Sequence, residues 1–141
     1  MKIATTVATA LAACVLLLAP ATAQEPAQTE AAQGVISAQI GAFRSGDHDR
    51  AFGFAAPNLQ RMFGGTDQFI AMVRQGYGPI FGANNVRFGR SRMNGETLYQ
   101  EVLLTGPKGK DWSALYTMRQ EKDGSWRIHG VQMRQAQLQS T

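Results

Sequence analysis

The sequence predicts an α+β domain: N-terminal helices packed on a curved, mainly four-stranded antiparallel sheet. Two observations carry this prediction. Apolar residues recur at helical spacing as far as Tyr77, whereas from Val86 onward they alternate as they do in strands. The alternating runs are separated by Asn94-Gly95, Gly106-Pro107-Lys108-Gly109 and Lys122-Asp123-Gly124, turn sequences that make consecutive strands antiparallel neighbours. Helices and strands segregated along the chain argue for helices on one face of an antiparallel sheet.

The chain opens on a segment that reads as removable. Lys2 supplies a positive start, Leu11–Leu18 is the strongest apolar kernel, and Pro20 interrupts it ahead of Ala21-Thr22-Ala23. This is the form of a secretory signal peptide over residues 1–23, cut between Ala23 and Gln24. It is shorter than the roughly 20 apolar residues of a retained membrane helix, so no membrane span is expected after cleavage. The expected location is the bacterial periplasm or the outside of the cell. A competing pattern, Leu11-Ala12-Ala13-Cys14, has the form of a lipoprotein site and would make the chain a lipid-anchored envelope component. Against it, the apolar Val15–Leu18 follows the cysteine, where polar residues are normal.

Residues 24–33 are polar and alanine-rich and read as a flexible lead-in, 34–134 as one α+β domain, and 135–141 as a polar tail. Within the domain, Ala32, Ile36, Ile40 and Phe43 mark a first amphipathic helix ending near Ser45-Gly46. Asp47 suits the N-cap of a second, with Phe52, Phe54 and Ala55 on its apolar side. Pro57 begins a short helix whose Leu59, Met62 and Phe63 share a face, closed by Gly64-Gly65. Thr66 then caps a longer helix striped by Phe69, Ile70, Val73 and Tyr77, with Gly76 expected in the left-handed C-terminal conformation. The strands follow as Val86/Phe88, Leu98/Gln100/Val102/Leu104, Trp112/Ala114/Tyr116/Met118 and Trp126/Ile128. Strict alternation then puts Met93, Tyr99, Leu103, Leu115, Val131 and Met133 on the other sheet face, too apolar for one that simply meets water.

Composition excludes several chemistries. Cys14 is the only cysteine and lies in the leader, so a processed chain forms no disulfide and offers no thiol nucleophile or ligand. Without Lys2 there are 13 basic and 10 acidic residues, a mild bias with no clustered basic face, and nucleic acid is not an expected partner. The two histidines, His48 and His129, lie far apart without a metal-ligand pattern, so neither a metal nor a cofactor is expected. Gly106–Asp111 lacks the spacing and the Ser or Thr of a phosphate loop, and Gly76-Tyr77-Gly78 lacks the third glycine of a dinucleotide loop.

The stretch DWSALYTMRQEKDGSWRI, after a run of helices, resembles the last strands of the nuclear transport factor 2-like (cystatin-like) superfamily. More narrowly, VISAQIGAF, AFGFAAPNLQRMFG, FIAMVRQGYGPIF and EVLLTGPKGKDWSALYTM resemble, over about residues 33–133, an uncharacterised bacterial exported family, domain of unknown function 4864. The family implies a fold but no activity. Enzymes of the superfamily hold a carboxylate or histidine base inside a cone, with tyrosine hydroxyls as partners. That resemblance makes Glu101, His129, Tyr99 and Tyr116 the candidate catalytic residues. Alternation puts Glu101 and Tyr99 on one face and Tyr116 on the other, so the three need not converge.

Two further sets come from the residues themselves. Tyr77, Ile80 and Phe81, in the glycine-rich passage from helix to sheet, are expected to fold over one end of the sheet, and with Phe88 and Trp112 are the candidate ligand-pocket residues. Arg87, Arg90 and Arg92 on the first strand are the candidate anion site, or else charges that blunt an edge strand. The favoured functional reading is a non-enzymatic exported domain that binds a small hydrophobic ligand, a protein, or a second copy of itself. The alternative is a small lyase or isomerase using Glu101 or His129 as base.

Overall fold

The computed structural model describes residues 21–136. The apolar part of the expected leader, Cys14 and residues 137–141 lie outside the described residues. Nine elements follow in order: α1 (Ala21–Ser45), α2 (His48–Gly53), α3 (Pro57–Phe63), α4 (Thr66–Gly76), α5 (Gly78–Phe81), β1 (Asn84–Asn94), β2 (Thr97–Thr105), β3 (Asp111–Gln120) and β4 (Trp126–Gln135). The expected α+β class is what the chain forms.

The segment 24–33, read as a flexible lead-in, belongs instead to α1. Its alanines favour the helix, and Ala32 already lies fully buried, in line with Ile36, Ile40 and Phe43. Asp47 caps α2 as expected, accepting from the Arg50 N–H at 3.4 Å. Pro57 occupies the first turn of α3, and Gly64, at φ 78°, closes it in the left-handed conformation that side chains disfavour. Thr66 is not the cap of α4: Gly65 takes that place, and the Thr66 hydroxyl donates to Asp49 Oδ1 at 2.7 Å, tying α4 to α2. Gly76 is still helical, and Tyr77 ends the helix at φ −134° with its N–H on the Val73 carbonyl at 2.8 Å. Phe69 joins the helices: its ring lies 6.1 Å from Phe43, 5.2 Å from Phe52 and 5.6 Å from Phe63, centroid to centroid.

The strands form one antiparallel meander in the order β1-β2-β3-β4. Its pairing is interrupted by bulges, and these decide which side chains meet the helices. Opposite Glu101, β1 carries two residues, Gly89 and Arg90, between the pairs Phe88↔Val102 and Ser91↔Gln100. In β4 His129 is the extra residue, between Gly130↔Thr117 and Ile128↔Met118. A third irregularity opposes Asn85 and Val86 to Leu104, with Asn85 at φ 49°. Each extra residue inverts the alternation beyond it. Met93 therefore pairs with Leu98, Val131 with Tyr116 and Met133 with Ala114, all partners buried under the helices. The expected outer apolar face shrinks to Tyr99, Leu103 and Leu115, because Met93, Val131 and Met133 pack against the core.

Two consecutive residues of β2 hold the first bulge from both sides. The Glu101 carboxylate accepts the Arg90 N–H at 3.2 Å and the Ser113 hydroxyl at 3.4 Å on the outer face. On the inner face the fully buried Gln100 donates through Nε2 to the carbonyls of Gly89 at 3.4 Å and Arg90 at 3.3 Å. Its Oε1 accepts from Gln33 of α1 at 3.1 Å. A Cβ on residue 89 would lie 2.7 Å from Glu101 Oε2, so the carboxylate reaches the bulge only because Gly89 has no side chain.

Gly89→Ala should therefore destabilise the fold by about 1–2 kcal/mol, and by clearly less in a Glu101→Ala background. Urea unfolding of the four members of the cycle checks this, and strict additivity would contradict the arrangement. The β3–β4 turn adds a pH dependence. The Ser125 hydroxyl, then its N–H, hydrogen-bond Asp123 at 2.6 and 2.9 Å and hold its carboxyl below the usual range. A depressed folded-state pKa means stabilisation that is present above the unfolded value, about 3.9, and is lost as pH falls through the folded value. Urea midpoints of wild type and Asp123→Asn should differ at neutral pH and converge in acid.

Candidate functional site

A cavity of about 230 Å³ lies between the helices and the β3–β4 side of the sheet. For scale, an engineered apolar cavity of about 150 Å³ holds benzene. Phe43 of α1, Leu59 and Met62 of α3, Phe69, Met72 and Val73 of α4, and Ile80 of α5 form its helical walls. Tyr116 of β3 and Ile128–Val131 of β4 form the sheet side. The β4 bulge matters here, because it turns Val131 from the outer face toward this space. Met62 is 69% exposed, so the wall made by α3 reaches the surface.

No Asp, Glu, Lys or Arg lines the cavity, and most of its polar side chains are committed elsewhere. Gln39 donates to the Ala51 carbonyl at 3.1 Å, and the Tyr77 hydroxyl donates to the Val131 carbonyl at 3.2 Å. His129 Nε2 lies 3.0 Å from Glu121 Oε1. Tyr116 differs. It is fully buried, and its hydroxyl has no hydrogen-bond partner among the described residues. Burial alone pushes its pKa well above the usual phenol value of 10, so the hydroxyl stays protonated.

The candidate residues from the sequence divide. Tyr77 and Ile80 line the cavity. Phe81 stacks in the helical layer instead, 5.5 Å from Phe43 and under the Arg74 guanidinium at 5.0 Å. Phe88 packs against the core from β1, and Trp112 sits beside Gly106 at the far end of β3. Among the catalytic candidates, Tyr116 and His129 belong to the cavity wall, while Glu101 and Tyr99 occupy the opposite sheet face beside Leu115 and Thr117. Arg87, Arg90 and Arg92 are all exposed on β1, which is an edge strand, and Arg87 and Arg92 pair with outer-face residues Leu103 and Tyr99. Among the described residues no group of three or more His, Cys, Asp or Glu side chains comes together in a way that could hold a metal ion.

Sequence reasoning missed Gln39 and Met72 as wall residues and read Leu59, Met62 and Phe63 only as one face of a short helix. A signal was present for Gln39: it falls within the buried arc of α1, between Ile36 and Ile40, where an apolar residue is the norm.

Among the described residues no helix is long and apolar enough to cross a membrane. No curated protein and no solved structure gives a significant match to the chain. A family model, domain of unknown function DUF4864, matches residues 25–141, a span that takes in the described helices past the first turn of α1 and the whole sheet. The chain belongs to the DUF4864 family.

Proposed function

We propose that the chain is an exported, non-enzymatic domain that binds a small hydrophobic ligand in the cavity between α3, α4 and the β3–β4 side of the sheet. The observation that carries this reading is a largely apolar cavity of about 230 Å³ lined by no Asp, Glu, Lys or Arg. Small-molecule sites are apolar concavities with few polar groups, and this one has that composition. Export follows from the leader pattern of residues 1–23, and kinship with the nuclear transport factor 2-like superfamily from the helix-then-meander order; both are part of the proposal.

Two placements favour binding over catalysis. Glu101 is engaged with the Arg90 amide and Ser113 on the far side of the sheet, and His129 is paired with Glu121. Glu101 therefore does not reach the cavity at all, and His129, which lines it, already has a carboxylate partner. Pairing with a second copy through the outer face has less support than the sequence suggested, since three of the six apolar residues expected there face the helices.

Two measurements test the reading. Leu59 is half-buried on a helix with no fully buried residue, so Leu59→Trp should fold and fill the cavity from its α3 wall. Indane, a bicyclic hydrocarbon, should raise the melting temperature of the wild-type protein and leave that of Leu59→Trp unchanged; equal shifts, or none in wild type, would sink the proposal. Tyr116→Phe removes a buried hydroxyl that has no partner among the described residues, so without ligand its stability should match wild type or exceed it by up to about 1 kcal/mol. A loss larger than that would mean that the hydroxyl has a partner in the folded protein.

A further inference from the structure

We infer that the protein has a second binding site, an open cationic cleft that takes a small aromatic anion, a ring bearing a phosphate or a carboxylate. The cleft has a volume of about 410 Å³ and shares no lining residue with the apolar cavity, so the inference is independent of the cavity reading. It lies where the passage from helix to sheet meets the β2–β3 turn. Two glycine- and proline-bearing stretches far apart in the chain, 74–79 and 106–112, come together to form it. Tyr77 and Ile80 line the cavity, while Gly78 and Pro79 between them line the cleft.

Three observations lead there. The first is charge. Arg74, Lys108 and Lys110 line the cleft, all three exposed, and no Asp or Glu lines it. Asp111, next in the chain, is engaged elsewhere: its Oδ1 accepts from the Thr105 hydroxyl at 2.9 Å, in a neighbouring groove with Asn85 and Arg87. The ion pairs among the described residues are Arg119–Glu96 and His129–Glu121, so none of the three cations is in one. Like charges gathered without a counter-charge repel each other, and an anion among them relieves that repulsion.

The second is the apolar surface beside the charge. Trp112 is half-buried and lines the cleft with Pro79 and Pro107, a wall suited to the face of a ring. The Arg74 guanidinium lies over the Phe81 ring at 5.0 Å, a stacking that occupies its face and leaves N–H donors along its edge for an anion. The third is that the backbone around the cleft is fixed. A Cβ on Gly82 would lie 3.1 Å from Pro107 Cγ, and one on Gly106 3.3 Å from Trp112 Nε1 and 3.4 Å from Pro79 Cβ. The turn and α5 approach this closely because both positions are glycine. The turn itself is closed by the Gly106 N–H on the Lys110 carbonyl at 2.8 Å and the Gly109 N–H on the Gly106 carbonyl at 3.0 Å. Lys108 and Lys110 therefore project from ordered backbone, which lowers the ordering cost of binding.

The test titrates phenyl phosphate and benzoate by calorimetry, with inorganic phosphate and acetate as the same headgroups without the ring. The proteins are wild type, Lys108→Gln/Lys110→Gln, Trp112→Leu and Leu59→Trp. Wild type should bind at least one aromatic anion about fivefold more tightly than its ringless counterpart, the tighter of the two naming the headgroup, and added salt should weaken it. Both lysines are exposed, so Lys108→Gln/Lys110→Gln should fold as wild type does and bind that anion about fivefold or more weakly. Trp112→Leu should lose the preference for the ring. Leu59→Trp, with the cavity filled, should bind as wild type does. If wild type binds neither aromatic anion, or binds the ringless ions as tightly, the inference fails. Undiminished binding in Lys108→Gln/Lys110→Gln removes the cleft as the site, and a loss confined to Leu59→Trp moves the anion to the cavity; either result overturns it. A failure of indane to bind would sink the cavity reading and leave this one standing.

Discussion

What the two outer strands of this sheet present to the helices depends on the alternation being inverted where β1 opposes Gly89 and Arg90 to Glu101, and again where β4 carries His129 as an extra residue. A strand offers every second side chain to one face, so a single extra residue exchanges the faces of everything beyond it. Here the exchange carries Met93, Val131 and Met133 under the helices and sends Arg92 and Gln132 to the outer face. Without it the helical layer would meet a narrower apolar surface, and Val131 would not reach the cavity. The cost of a bulge is an unpaired stretch of backbone, and Gln100 and Glu101 meet it from opposite sides, one with an amide and the other with a carboxylate.

Backbone carbonyls elsewhere are met by side chains in the same way. The Arg44 guanidinium donates to the Ala83 carbonyl at 2.6 Å, Gln60 to the Ala55 carbonyl at 2.9 Å, and Arg127 to the Gly53 carbonyl. Each satisfies a carbonyl at the end of a helix or in a connection, where regular pairing stops. The segment around Ala55 is itself paired with β4: the Ala56 N–H bonds the Ile128 carbonyl and the Ile128 N–H the Phe54 carbonyl, both at 2.9 Å. Against this background the unmade hydroxyl on Tyr116 is an exception within the described residues.

The architecture was legible because its signals are local. The change from helical to alternating period near residues 77–86 and the three glycine turns are enough to order the elements. The bulges were not legible, since a period-two reading carries straight through Gly89 and His129 and assigns the far ends of β1 and β4 to the wrong face. Glu101 shows the result most sharply. A lone acid in mid-strand reads as a catalytic candidate or a solvated charge, and only the register reveals that it answers a backbone amide eleven residues away. The cavity was half legible: Tyr77 and Ile80 come from the passage expected to cover the sheet, but Phe81, Phe88 and Trp112 lie elsewhere because aromatic character alone does not tell a core plug from a pocket wall.

The short helix α3 has a kinetic consequence. It begins directly after Ala56, whose N–H is fixed to β4, ends at the left-handed Gly64, and contains no fully buried residue. A seven-residue segment with no fully buried residue, held at its far end by Phe63 against Phe69 at 5.6 Å, is of the kind that opens locally before the rest of a domain unfolds. Such opening would expose the Leu59–Phe63 wall while leaving the sheet, the bulges and Tyr116 undisturbed. One short helix would then be both the door to the interior and part of its wall, so a substitution in α3 alters entry and fit together.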